Sequence, residues 1–156
     1  NAIPFPPCAS SFACGKRLVY AGEKQIAALL KAGITPVLYG DTVMDEQQGA
    51  CIVSGDQLVQ YLARALNAGC VGLVTDVGGV LENGEIIAEI TPETVGRIVF
   101  TEPGCADVTG GMRGKVDELL ELAGAGISSR IFSMDGLADF LAGGTPGTGI
   151  SAGGSP

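Results

Sequence analysis

The chain has 156 residues, a length that fits one domain of ordinary size. Nine basic and 17 acidic side chains give a net charge of −8, and 46% of the residues are apolar. The composition is too apolar for a disordered chain and too acidic for a nucleic-acid binder that works by neutralising phosphates. With no histidine, these residues hold no Ser-His or Cys-His catalytic pair and no His-ligated metal site. Chemistry must come from Asp, Glu, Lys, Arg, Ser, Thr, Cys or backbone amides.

The first twenty residues are Pro-rich and read as irregular, with one short apolar run at Leu18-Val19-Tyr20. Glu23 to Ala32 predicts a helix with Ile26, Leu29 and Leu30 on one face and Gly33 ending it. Thr35 to Tyr39 predicts a short buried strand. Val43-Met44 and Ala50 to Val53, around the polar stretch Asp45 to Gly49, predict a hairpin. Ser54-Gly55-Asp56-Gln57 has the form of a capping box, opening a helix with Val59, Leu62, Ala63 and Leu66 on one face and Gly69 closing it.

Cys70 to Val74 predicts another buried strand, ending at Thr75-Asp76. Asn83-Gly84 between apolar residues is the strongest short hairpin signal in the chain. Thr91-Pro92-Glu93 predicts a short helix with Pro at its first position. Thr109-Gly110-Gly111 leads into a helix with Val116, Leu119, Leu120 and Ala123 on one face. Ser129 to Ser133 predicts a strand and Asp135 a cap for a last helix ending near Gly143. Residues 143–156 are Gly-rich and read as a linker or frayed tail with at most one short strand around Ile150. Alternating strands and amphipathic helices make the class α/β with a mostly parallel sheet.

No stretch approaches the roughly 18 consecutive apolar residues of a membrane helix, and the opening residues lack the pattern of a signal peptide. Five dispersed cysteines (Cys8, Cys14, Cys51, Cys70, Cys105) form no C-x-x-C pair. They are expected to be reduced thiols, packed as small hydrophobes in a cytoplasmic protein. Lys16-Arg17 is expected in a surface loop.

In open α/β sheets, ligands collect at the carboxyl ends of strands and at the helix starts that follow. Three junctions have that character. Free amides at Ser54-Gly55-Asp56 could hold an anion, or Asp56 could simply complement the helix dipole. Thr75-Asp76-Val77-Gly78-Gly79 could bring backbone close to a ligand, or be a tight turn. In Asp107 to Lys115 (DVTGGMRGK), Arg113 and Lys115 fall in the first turn of a helix, where positive charge is disfavoured. Glycines beside misplaced cations point to a phosphate between them, the alternative being a solvated charged turn. Neither the G-x-x-x-x-G-K-[ST] loop nor G-x-G-x-x-G after a strand is present.

In this order the three junctions resemble the amino acid kinase superfamily. Pro36 to Asp45 (PVLYGDTVMD), Gly49 and Ile52 to Asp56 (IVSGD) most closely resemble isopentenyl phosphate kinases. Thr75 to Val80 (TDVGGV) and Asp107 to Lys115 match later motifs of that family. The resemblance covers about Ala2 to Ile150. It implies an αβα sandwich that moves the ATP γ-phosphate onto isopentenyl phosphate, with Mg2+, small-molecule substrates and no nucleic-acid or membrane partner. A homo-oligomer is expected of the complete enzyme.

By the same resemblance Asp56 would orient catalytic lysines, with Ser54 and Gly55 facing the acceptor phosphate. Thr42 and Ile52 would border the isoprenoid tail. Thr75, Asp76 and Gly79 would contact the nucleotide; Gly110, Gly111 and Lys115 would hold the ATP phosphates, Lys115 also stabilising charge in transfer. Where this chain has Gly78 the family reads a second Asp. The family's opening Lys-x-Gly-Gly-Ser and later His-Gly-Gly-Gly loops are not found in these residues. The chain is therefore expected to be the carboxyl-terminal portion of such a kinase, incomplete on its amino-terminal side: residues 1–142 kinase domain, 143–156 tail. Alone, it is expected to be inactive. Two alternatives stand beside this reading: a non-catalytic nucleotide-binding or regulatory module, and another superfamily member such as a fosfomycin or uridylate kinase.

Overall fold

The computed structural model describes residues 1–100 and 111–153. They divide into two compact units, Asn1–Asn67 and the remainder from Ala68. The first unit runs β1 (Ala2–Pro4), α1 (Pro7–Ser10), β2 (Phe12–Cys14), β3 (Arg17–Tyr20), α2 (Glu23–Lys31), β4 (Thr35–Val37), β5 (Asp41–Asp45), β6 (Gly49–Val53) and α3 (Gly55–Ala65).

β1 pairs in parallel with β4, and a four-stranded sheet has the order β3-β2-β5-β6. β2 is parallel to β5, while the β2–β3 and β5–β6 pairs are antiparallel hairpins. Alternation places Val43, Cys51 and Val53 on the buried face, where they join Ala13, Ala21 and Leu58 of α3. The opposite face exposes Phe12, Met44 and Ile52. α3 follows from its ends. Ser54 accepts the Gln57 N–H, Asp56 lies in the first turn and Arg64 in the last.

The second unit runs β7 (Cys70–Thr75), β8 (Leu81–Glu82), β9 (Glu85–Ile86), β10 (Glu89–Ile90), a 3-10 turn (Val95–Arg97), α4 (Gly111–Gly124), β11 (Ser128–Ser133), a 3-10 turn (Met134–Gly136), α5 (Leu137–Leu141) and β12 (Thr148–Ile150). Its sheet has the order β10-β12-β11-β7. β7 and β11 are parallel through six residues, β10 and β12 are parallel to each other, and only the β11–β12 junction is antiparallel. The α/β class with mostly parallel pairing in this sheet is the expected one. α4 buries Val116, Leu119, Leu122 and Ala123 and packs on β11 and β12. β8 and β9 form the Asn83-Gly84 hairpin, both turn residues having positive φ (53° and 87°), as a type I′ turn requires.

Several expectations are corrected. The opening is ordered rather than irregular: its prolines suit the end of β1 and the first position of α1. Lys16 lies in a surface loop as expected, an exposed Gly15-Lys16 turn with both residues at positive φ that folds β2 onto β3, while Arg17 begins β3. The Thr35 stretch is half-exposed, with Val37 and Tyr39 open to solvent, and so is Leu30 of α2. α3 closes at Asn67, left-handed at φ 52°, two residues before the expected Gly69.

After Thr91-Pro92-Glu93 only the 3-10 turn at Val95–Arg97 forms; the Thr94 hydroxyl accepts the Thr91 N–H and keeps the turn tight. Asp135 lies inside the second 3-10 turn, and α5 has no side-chain cap. The short strand allowed around Ile150 is present, and as far as residue 150 the Gly-rich end is part of the sheet rather than a linker. Thr148–Ile150 is a fully buried strand inserted between β10 and β11.

Candidate functional site

In the first unit the candidate residues surround the start of α3. The Ser54 hydroxyl oxygen is 3.2 Å from the Gln57 nitrogen and is committed to the cap. The reciprocal half of a capping box is not made, since the Gln57 Oε1 is buried without a partner. Gly55, the first helical residue, is exposed, and beyond its chain neighbours and its own helix backbone no atom lies within 4 Å of the place a Cβ would take. Asp56 stands beside it, where the helix dipole favours a carboxylate. Gly40 presses against this corner: a Cβ there would sit 3.3 Å from the Val53 carbonyl oxygen and 3.5 Å from the Gly55 nitrogen. Thr42 and Ile52 are direct cross-strand partners on the exposed face of the β5–β6 hairpin.

Two carboxylates fix the two ends of β5, Asp41 the end beside this corner and Asp45 the far end. Asp41 accepts the Cys8 N–H at 3.0 Å and the Thr42 N–H at 2.9 Å, tying α1 to the start of β5. Those bonds, led by Cys8, hold its carboxyl below the usual range. Asp45, 3% exposed, takes five hydrogen bonds: from the N–H groups of Gly15, Lys16, Gln47 and Gln48 and from the Gln48 side chain. The Lys16 N–H leads in holding its carboxyl far below the usual range. Burial first, and then Asp45, push the nearby Cys51 thiol up. Sequence reasoning missed both roles; the ties to Cys8, Gly15 and Lys16 span about thirty residues, and only the bonds from Thr42, Gln47 and Gln48 are local.

In the second unit β7 ends at Thr75, whose hydroxyl donates to the Val77 carbonyl at 2.8 Å, and Asp76 is exposed just beyond it. Gly79 is buried rather than open. A Cβ there would stand 2.7 Å from Thr148 Oγ1 and 2.8 Å from Ile86. Gly111 opens α4 at φ 59°, and Lys115 follows four residues on, one turn along the same face. α4 packs on β11 and leads the chain back to the start of that strand. Gly110 and most of the preceding motif lie outside the described residues.

Arg113 already has a carboxylate partner, so its place at the helix start does not call for a phosphate beside it. Its Nε donates to both Asp117 oxygens, at 2.9 and 3.0 Å, and its guanidinium lies 5.3 Å from the Phe100 ring centre. A separate cleft of about 370 Å³, lined by Glu89, Arg130, Phe140 and Thr145 among others, was not foreseen. Among the described residues no helix is long and apolar enough to cross a membrane.

Parallel strands and a glycine-opened helix that carries a lysine are the kind of elements on which α/β proteins can hold phosphate. Residues 2–133 match the amino acid kinase family, and the chain belongs to that family. Within it, the chain is 44% identical over 123 residues to the isopentenyl phosphate kinase of Haloferax volcanii, covering 78% of this chain and 48% of that protein. It is 37% identical over 105 residues to the isopentenyl phosphate kinase of Methanocaldococcus jannaschii, covering 66% and 40%. A solved isopentenyl phosphate kinase structure, 30% identical, superposes with a TM-score of 0.77 over 96% of this chain and 58% of that one. The chain thus spans about half the length of the curated relatives it matches.

Proposed function

We propose that this chain is the nucleotide-binding part of an isopentenyl phosphate kinase. The observation that carries the reading is the 44% identity over 123 residues to the Haloferax volcanii enzyme. In the proposed reaction an oxygen of the isopentenyl phosphate group attacks the ATP γ-phosphorus. The bond to the β,γ-bridging oxygen breaks, ADP leaves, and isopentenyl diphosphate forms.

Such transfer is chiefly positioning and charge neutralisation. Ser54 and Gly55 take the acceptor phosphate, for which the open space at Gly55 gives backbone access. Asp56 orients lysines of the complete active site, and Thr42 with Ile52 borders the isoprenoid tail. Thr75, Asp76 and the turn ending at Gly79 hold the nucleoside side of ATP. Gly110, Gly111 and Lys115 hold its phosphates, the lysine ammonium offsetting charge that builds in transfer. Mg2+ enters as the ion carried on the ATP phosphates; among the described residues no three Asp, Glu or Cys side chains are gathered to hold a cation.

The test follows ATP and isopentenyl phosphate by phosphorus NMR. MgATP should shift amide resonances of residues 75–79 and 111–115, and the chain alone should form no diphosphate. Addition of the amino-terminal half of the Haloferax kinase should produce it. Sustained turnover by the 156 residues alone, or no response of those amides to MgATP, would overturn the reading.

A further inference from the structure

Thr148 lies in β12, within the segment that the sequence marks as a tail, and it is fully buried. A buried hydroxyl is unfavourable unless it is paired, and valine would fill the same space without that penalty. The hydroxyl has a specific use: Oγ1 accepts the Val80 N–H at 2.8 Å. Val80 closes the turn that begins at Thr75, so this bond fixes the far end of the candidate nucleotide turn. The Thr75 hydroxyl, bonded to the Val77 carbonyl at 2.8 Å, fixes the near end.

Between these ends the fit is by contact with backbone. A Cβ on Gly79 would stand 2.7 Å from Thr148 Oγ1 and 3.1 Å from the Thr148 nitrogen. Gly147, left-handed at φ 63°, has its Cβ position 2.7 Å from the Gly78 carbonyl oxygen. Turn 78–79 and residues 147–148 therefore lie against each other with room for no side chain on either glycine. The strand side of this contact is itself held. Arg130 donates from Nε to the Pro146 carbonyl at 2.7 Å, and from Nη2 to the carbonyls of Thr145 and Gly147 at 2.8 and 3.0 Å.

We propose that Thr148 is a positioning residue for nucleotide binding, setting the shape of the Thr75–Val80 turn from behind through the Val80 N–H, with Arg130 bracing the segment that carries it. This rests on the reading that the turn holds the nucleoside part of ATP. Thr148 itself touches no nucleotide in this scheme.

The experiment compares the unaltered chain with Thr148→Val and Thr148→Ser. One readout is amide hydrogen exchange at residues 76–80. The other is the Kd of a fluorescent ATP analogue with Mg2+. Thr148→Val should speed exchange across the turn and weaken analogue binding about tenfold, the affinity equivalent of one lost hydrogen bond. Thr148→Ser, which keeps the acceptor, should restore both; a purely space-filling role would favour valine over serine.

If Thr148→Val does not fold, Arg130→Gln frees 145–147 while leaving the buried hydroxyl in place, and it should weaken binding in the same direction. Faster exchange with unchanged analogue affinity in the folded variants overturns the proposal and leaves the nucleotide reading intact. An unaltered chain that binds no analogue overturns both.

Discussion

In the first unit the turns of β2–β3 and β5–β6 close on one charged side chain, Asp45, through five hydrogen bonds. In the second, the turn 76–79 closes on backbone, with glycines on both sides of the contact and one neutral hydroxyl at its end. The first arrangement depends on the protonation state of a single group and tolerates changes of shape at the turn tips. The second has no titrating group at its centre and tolerates no added atom. A fold can thus fix two loops equally well while exposing them to opposite perturbations.

The sharpest way to break the comparison is Gly147→Ala. The residue is left-handed, and its Cβ would collide with the Ile131 carbonyl oxygen and crowd that of Gly78. A loss of about 4 kcal/mol or more is expected in urea titration, enough to unfold the second unit, with amide protection of the first unit retained. Loss of a few tenths only would show that the backbone contact is loose.

The second prediction is acid sensitivity. The folded Asp45 carboxyl titrates below its unfolded value, so the folded state binds fewer protons. Its contribution is therefore complete above the ordinary carboxylate range, and is lost as pH falls through that range toward the folded pKa. Urea midpoints for the first unit should drop steeply below about pH 4. Asp45→Asn should be less stable at neutral pH and show a shallower acid limb. An unchanged pH profile in that variant would mean that another group carries the acid response.

The smallest effect belongs to Arg113. Its pairing with Asp117 is about half exposed, and such i,i+4 pairs contribute roughly 0.4 kcal/mol before salt screening. Arg113→Ala should move the second unit's midpoint barely beyond error, and less in high salt. A larger shift would mean that the Phe100 contact matters more than its exposure suggests.

What could be read from the sequence shares one property: the information is local. Asn83-Gly84 announces its turn because two consecutive positive φ angles are a demand on those two residues alone. Ser54 announces its helix because cap and amide are three residues apart. The α4 face was legible in Val116, Leu119 and Ala123, though Leu122 completes it in the core.

What was illegible is long-range. β1 exists because β4 supplies its partners more than thirty residues later. One miss is local: Thr91-Pro92-Glu93 has a helix-opening sequence, yet the bonds of the Thr94 hydroxyl to Thr91 draw the chain into a tight turn instead. Glycines at 78–79 and 147 look like flexibility in one dimension and are close contact in three. For the candidate site, motif order placed Thr75, Asp76 and Gly111 at strand and helix ends, but could not show that Gly79 is buried or that Arg113 is already paired.

The position of β12 bears on how the molecule is made. Among the described residues β10 pairs in its sheet with β12 alone, so during synthesis it waits nearly sixty residues for that neighbour. Until residues 145–150 emerge, Arg130 lacks its carbonyls and the Val80 amide its acceptor. The second unit cannot complete its sheet before then, which makes a nascent chain stalled before Thr148 a substrate for chaperones rather than a smaller version of the protein.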